Sequence, residues 1–296
     1  TMILKETMAY YNSNHSSVFC SFLDATKAFD RVHYCKLFKL LIKRQLPAHV
    51  IRLLINMYSN NFVRIAWDGV LSDYFLAVNG VKQGGVLSPV LYCVYIDDLL
   101  LALSKSGVGC YMGNNFVGAL AYADDIVLIA PTATAMRKLL FICGEYATEY
   151  CITFNASKSK CLAVLPANRR ELGSYLNECR FTVNDKPIEL VQSFQHLGHT
   201  ITSQLNDVSD ITAKQYAFIS QSNNVKCFFR KLTSNVKYKL FNSYCTSYYG
   251  CELWSLTTSN ISDFCTVWRR GVTVYHTLLF AASYLSMSAC VFYELW

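Results

Sequence analysis

The sequence predicts an α+β protein, and three observations carry that expectation. Several long blocks repeat apolar residues at helical spacing, short apolar runs bounded by turn residues lie between them, and from about Asn206 onward the strand signals fade while helical ones persist. The chain has 296 residues, 53% of them hydrophobic, enough to bury a sizeable core in one large domain or two smaller ones. A mixed portion over residues 1–205 and a helical portion over 206–296 are expected.

Taken in order, residues 2–12 carry a helical pattern, and Val18-Phe19-Cys20-Ser21-Phe22-Leu23-Asp24 reads as a buried strand ending in a carboxylate. Leu37–Leu46 and Ala48–Asn60 read as helices separated by Pro47, which suits the first turn of the second. Val63–Trp67 and Tyr74–Val78, joined around Asp68-Gly69, read as a hairpin. Pro89 opens a helix running to about Ser104, just after the turn Gln83-Gly84-Gly85. Tyr111–Val117 and Gly118–Ala130 suggest a second hairpin, Thr134–Cys151 a helix, and Ile152–Leu165 a strand.

Asp124 and Asp125 are the sharpest chemical feature, because the expected hairpin sets them side by side in the apolar arm Ala121-Tyr122-Ala123-Asp124-Asp125-Ile126-Val127-Leu128-Ile129. Burying like charges together is costly unless cations or donors compensate. Mg2+ takes oxygen ligands, commonly one or two carboxylates plus substrate phosphate, so a third carboxylate on a neighbouring strand would complete a pair of sites. Asp24 fits that role. An adjacent Asp pair alone is more often a solvated turn, and Asp97-Asp98 serves as the control: it lies in the helical pattern after Pro89, where capping or exposure is expected. Asp30 is set aside for Asp24, since it follows a short turn and can pair with Arg31 or cap the next helix.

Lys plus Arg outnumber Asp plus Glu by 27 to 20, which favours an anionic partner such as nucleic acid. The 13 Cys are odd in number, scattered, and never spaced C-x-x-C, so they read as mostly buried thiols of a reducing, intracellular compartment, cytoplasm or nucleus. No secretory signal opens the sequence. Val272–Trp296 is mostly apolar, but Ser and Thr residues dilute it, and a buried helix pair is expected rather than a bilayer span. His196 and His199 have metal-like spacing without a companion Cys or carboxylate cluster, so no zinc site is expected.

Phe22-Leu23-Asp24-Ala25-Thr26-Lys27-Ala28-Phe29-Asp30, Gly80-Val81-Lys82-Gln83-Gly84-Gly85-Val86-Leu87-Ser88-Pro89 and Tyr122-Ala123-Asp124-Asp125 resemble, in order and spacing, three successive motifs of reverse transcriptases from retrotransposons lacking long terminal repeats. Asn155-Ala156-Ser157-Lys158-Ser159-Lys160 is similar to the fourth motif, Phe194-Gln195-His196-Leu197-Gly198-His199 to the fifth, the primer grip, and Tyr248-Tyr249-Gly250-Cys251-Glu252-Leu253-Trp254 to the thumb. The resemblance covers nearly the whole chain. It implies a right-hand polymerase palm, an antiparallel sheet with packed helices, with partial fingers over residues 1–205 and a helical, shortened thumb over 206–296.

The same resemblance implies an RNA-directed DNA polymerase whose partners are an RNA template, a DNA primer and deoxynucleoside triphosphates. Two Mg2+ ions, with Mn2+ as a substitute, would be held by Asp24, Asp124 and Asp125; Ala25, Phe29, Gln83 and Gly84 would contact the nucleotide, with Phe29 excluding a 2′-hydroxyl. Lys158 would stabilise or protonate the leaving pyrophosphate. Leu197 and Gly198 would grip the primer, and Lys226, Arg230, Lys231, Lys237 and Lys239 could track phosphates. The chain starts close to the first motif, so the full fingers and the endonuclease common in such elements would be supplied by other chains or be absent. Two further functional classes stay open: a catalytically inactive nucleic-acid-binding remnant, and an RNA-templated RNA polymerase, against which Phe29 argues.

Overall fold

A computed structural model describes residues 1–166, 179–229, 231–246, 248–255, 257 and 260–269. The apolar segment Val272–Trp296 and the basic residue Arg230 lie outside the described residues. The chain divides into two compact units: Glu6–Gln192, and Ser193–Trp296 together with Thr1–Lys5.

The larger unit contains helices α1 (Met2–Ser13, whose first residues belong to the other unit), α2 (Tyr34–Lys43), α3 (Ala48–Ser59), α4 (Ser88–Lys105) and α5 (Ala133–Tyr150). Its central strands are β1 (Val18–Asp24), β8 (Ala119–Tyr122), β9 (Asp125–Ala130), β10 (Lys160–Val164), β11 (Phe181–Val183) and β12 (Lys186–Val191). They form one sheet in the order β11-β12-β10-β1-β9-β8, antiparallel except for the β10–β12 pair. Two-residue strands β2 (Phe62–Val63) to β5 (Phe75–Leu76) enclose β3 (Ala66–Trp67) and β4 (Val70–Leu71), and β6 (Tyr111–Met112) pairs with β7 (Asn115–Phe116).

β1 explains why its sequence reads as an unbroken apolar run. It lies between β9 and β10, and every residue before Asp24 is buried, so side chains on both faces of the pleat leave water. Phe19, Leu23, Ile126, Leu128, Cys161 and Ala163 line the face that joins the main core with α2, α4 and α5. Phe19 meets Phe181 edge-on across that core, with ring centroids 5.6 Å apart. The Thr132 hydroxyl caps α5 by accepting from the Ala135 amide at 3.1 Å, a cap worth about 1 kcal/mol.

The expected elements are recovered with four changes, the first being that the hairpin expected from Val63–Trp67 and Tyr74–Val78 is two short pairs, β2–β5 and β3–β4. α2 starts at Tyr34 rather than Leu37, because His33 already occupies the cap position in extended conformation. The strand expected over Ile152–Leu165 is confined to β10, since the stretch before it turns around Asn155. The single hairpin expected over 111–130 is two: β6 and β7 close the first, and β8 and β9 the second. Cysteines are also more mixed than expected. Cys20, Cys110, Cys143 and Cys161 are buried, but Cys35, Cys93, Cys151 and Cys227 are exposed, all as free thiols. No helix among the described residues is long and apolar enough to cross a membrane.

The smaller unit holds the hairpin β13 (Ser193–His196) and β14 (His199–Thr202), followed by α6 (Val208–Phe228) and α7 (Ser234–Tyr244). Phe218, Val225, Phe241 and Cys245 form its core, with Tyr248 and Trp268 packed on Phe218.

Candidate active site

β1 ends on Asp24 and β9 begins on Asp125, and the two are register partners in neighbouring strands. Asp125 is also paired with Tyr122 at the end of β8, which leaves Ala123 and Asp124 as a two-residue turn. Ala123 adopts φ +53°, the left-handed conformation that tight hairpin turns use. Asp124 therefore stands at a hairpin tip and not inside an apolar arm as expected. Asp tolerates turn positions readily, and the continuous apolar run begins only at Ile126. Chain folding thus brings three carboxylates, remote in sequence, to one end of the sheet.

These carboxylates act on one another. The Asp125 carboxyl is held above the usual range by partial burial and by the negative charges of Asp124 and Asp24. Among the described residues no three His, Cys, Asp or Glu side chains close into a ready-made metal cage. The donor set is nevertheless all oxygen, with Asp24 and Asp124 half-buried and Asp125 more exposed than either, and mutual repulsion of this kind is what a hard divalent cation relieves.

Residues 153–159 run beside the end of β1. The Thr26 amide donates to the Thr153 carbonyl at 2.8 Å, the Asn155 amide donates to the Asp24 carbonyl at 2.8 Å, and the Asp24 amide donates to the Ser159 hydroxyl at 3.1 Å. Ala25, which is buried, bridges to Phe154 in the same stretch. The Asn155 side-chain oxygen accepts from the Ser157 amide at 3.1 Å, the Ser157 hydroxyl at 2.7 Å and the Lys158 amide at 3.3 Å, fixing a tight local turn. Lys158 is exposed on that turn, which is tied to the Asp24 backbone.

Phe29 lies in a short 3-10 turn after β1, half-buried, with its ring 5.0 Å from that of Tyr92 on α4. The Val81 amide donates to the Phe29 carbonyl at 2.8 Å, and the Gly80 amide to the Val32 carbonyl at 2.9 Å, which brings the first two sequence motifs into contact. Gly80 is required there: it adopts φ +85°, and a Cβ would stand 2.8 Å from the Asp30 carbonyl oxygen. Gln83 and Gly84 occupy the exposed turn that follows, and Gly84 has φ +75° with open space around it. Asp30 is exposed, and neither expected role for it is seen: the Arg31 guanidinium donates to the Thr153 hydroxyl, and His33 caps α2. Asp97 and Asp98, the control pair, are engaged on α4 with Arg44 and Lys43.

In the smaller unit, Leu197 and Gly198 form the two-residue turn between β13 and β14, with φ of +48° and +77°. Lys214 donates to the Gly198 carbonyl at 3.2 Å, and the Tyr249 ring lies 3.2 Å from where a Cβ at Gly198 would be. Behind this turn is a cluster that sequence reasoning missed. His199 is 1% exposed, with Asp207 3.3 Å from its Nε2 and Asp210 3.2 Å from its Nδ1. Lys5 donates to Asp207 at 2.6 Å, the Ser255 amide donates to Asp207 at 2.7 Å, and the Trp254 indole donates to Asp210 at 2.7 Å. Burial raises the Asp207 pKa, but hydrogen bonds with His199, Lys5 and the Ser255 amide outweigh it and hold the carboxyl down at about 2. Burial lowers His196 to about 4. Lys226, Lys231 and Lys239 are exposed.

Residues 2–201 match the sequence family described as "Reverse transcriptase (RNA-dependent DNA polymerase)". The chain is similar to the Pol polyprotein of the R2DM retrotransposable element of Drosophila melanogaster, at 30% identity over 53% of the chain and 15% of the relative. It is similar to the probable RNA-directed DNA polymerase of the X-element transposon of the same organism, at 26% identity over 86% of the chain and 27% of the relative. A third relative is the RNA-directed DNA polymerase of the mobile element jockey from Drosophila funebris, at 26% identity over 74% of the chain and 24% of the relative. The chain thus spans between 15% and 27% of the length of these relatives. Among solved structures, a telomerase from Candida tropicalis in complex with a TWJ fragment of telomeric RNA shares the fold, with TM-score 0.52 and 11% identity over 93% of the chain and 42% of the telomerase.

Proposed function

The chain belongs to the reverse transcriptase (RNA-dependent DNA polymerase) family, and from that premise we propose that it is a retrotransposon polymerase core that adds deoxyribonucleotides to a primer 3′-hydroxyl on an RNA template. The observation that carries this reading is the register pairing of Asp24 with Asp125 beside the turn that presents Asp124. Three carboxylates gathered at one sheet end, where partial burial and then the charges of Asp124 and Asp24 raise the Asp125 pKa, suit phosphoryl transfer better than an ordinary solvated surface.

Asp24 and Asp124 would hold two Mg2+ ions between them, with Asp125 in support and Mn2+ able to substitute. When bound, such ions activate the 3′-hydroxyl and offset charge on the phosphates and the leaving pyrophosphate. Asp24 is held rigidly for that task, since its amide and carbonyl are both engaged by residues 155–159. Lys158, exposed on the turn fixed by Asn155, is free to reach an anionic leaving group and to donate a proton to it.

Phe29 would meet the sugar of the incoming nucleotide and exclude a 2′-hydroxyl by shape, with Tyr92 packed on the ring to keep it from yielding. Ala25, Gln83 and Gly84 would complete the nucleotide contacts. Residues 1–205 are assigned to the palm and part of the fingers, and residues 206–296 to the thumb. The primer-grip turn at Leu197 and Gly198 folds with the smaller unit, and Lys226, Lys231 and Lys239 offer charge for the template–primer phosphates.

Primer extension tests this reading. Mg2+-dependent extension of a DNA primer on an RNA template is the expected result, and a folded chain that binds template–primer without extending it would favour the noncatalytic remnant.

A further inference from the structure

The hairpin β13–β14 is fixed from two sides. On α6, Asp210 and Lys214 stand four residues apart and so share a face of the helix. Asp210, 2% exposed, accepts from the Thr200 amide at 2.9 Å, and Lys214 donates to the Gly198 carbonyl at 3.2 Å. The hairpin backbone is thus tied to α6 before and after His199. The segment following α7 meets the same hairpin at two glycines. The Tyr249 ring lies 3.2 Å from where a Cβ at Gly198 would stand, and the His199 ring 3.7 Å from where one at Gly250 would.

Tyr248 and Tyr249 are neighbours with opposite surroundings. Tyr248 packs on the rings of Phe218, Phe264 and Trp268. Tyr249 is 67% exposed, and its hydroxyl makes no hydrogen bond among the described residues. A ring left largely in water adds little to the core, so packing does not account for it. Lys214 has three N–H donors and spends one on Gly198, and no carboxylate among the described residues pairs with it. An aromatic ring and an unpaired ammonium therefore meet at one rigid turn. Those two groups are the elements of strand recognition, since a ring stacks on a base and a cation attracts a phosphate.

We propose that Tyr249 and Lys214 extend the Leu197–Gly198 turn into a binding surface for the primer strand, the ring stacking on a base near the primer end and the ammonium meeting a phosphate. The inference rests on the reading of that turn as the primer grip, and it adds two residues from outside the hairpin. Asp210 acts through them as a positioning residue. It holds Thr200 on one side and accepts from the Trp254 indole at 2.7 Å on the other, which keeps the hairpin and the Tyr249 segment together.

Binding is measured by fluorescence anisotropy of a labelled DNA primer annealed to an RNA template, without divalent metal or nucleotide, and beside it the template RNA alone. Tyr249→Ala is expected to unfold at the parent temperature, because the ring is exposed, yet to bind template–primer about tenfold more weakly while binding template RNA as the parent does. Tyr249→Phe keeps the ring and should bind like the parent. Lys214→Gln should reduce the slope of log affinity against log salt by about one. Equal template–primer affinity in parent and Tyr249→Ala would overturn the proposal, as would an equal loss on template RNA alone. An unchanged salt slope in Lys214→Gln would strike out the phosphate contact. Failure of the primer-grip reading looks different: the parent would then bind template–primer no better than template RNA. Failure of the carboxylate site looks different again, as binding without extension.

Discussion

Replacing Gly80 by alanine probes the joint between the Asp24–Asp30 segment and the glycine-rich turn. Two costs add at this position. Alanine in the left-handed conformation at φ +85° costs about 1–2 kcal/mol. The new Cβ would also lie 2.8 Å from the Asp30 carbonyl oxygen and 2.9 Å from its Cα, backbone atoms that cannot rotate aside, and overpacking of this sort costs about 1–3 kcal/mol. The sum is about 2–5 kcal/mol. Gly84→Ala supplies the comparison, because φ is +75° there but nothing lies within 4 Å of the Cβ, so only the first cost of about 1–2 kcal/mol applies. Urea unfolding of both variants beside the parent measures the two losses, and hydrogen exchange of the Val81 amide reports whether its bond to the Phe29 carbonyl has loosened. A loss in Gly80→Ala no larger than in Gly84→Ala would refute the close approach of Gly80 to Asp30.

Phe29→Ala is expected to raise ribonucleotide incorporation relative to deoxyribonucleotide incorporation in single-nucleotide extension, and an unmoved ratio would remove Phe29 from the sugar pocket. Lys158→Ala should lower kcat by about 100- to 10,000-fold with little change in template–primer affinity, as expected for a general acid acting on the leaving phosphate; a pure affinity loss would contradict that role. Asp207 has a folded pKa of about 2 against an ordinary carboxylate value near 3.8, so its contribution to stability is present above pH 4 and is lost as pH falls toward 2. Asp207→Asn should therefore be destabilised relative to the parent at neutral pH, with the difference shrinking through that acid window, as followed by thermal unfolding from pH 7 to pH 2.

The strands and helices were legible where one local pattern dominates. β1 could be read to its last residue because the run from Val18 to Leu23 is apolar throughout and a carboxylate ends it. The helix after Pro89 was equally clear. Asp124 was identified as chemistry but misplaced within the hairpin, since Ala119-Leu120-Ala121-Tyr122 and Ile126-Val127-Leu128-Ile129 merge into one apolar stretch unless the turn between them is seen. A left-handed alanine gives no compositional signal for a turn. Long-range polar clusters were invisible for a different reason. Lys5, the stretch from His199 to Asp210, and Trp254 are far apart in sequence, and nothing in their spacing shows that the fold buries Lys5, Asp207 and Asp210 against His199.

The central claim is that Asp24, Asp124 and Asp125 form the metal-dependent centre of a reverse transcriptase. Its most direct test is Mg2+-dependent extension of a DNA primer on an RNA template by the purified chain and by Asp124→Asn, with template–primer binding measured in parallel. Extension by the parent and its loss in Asp124→Asn, with binding retained by both, is the predicted result. Equal extension by the two proteins would contradict the account.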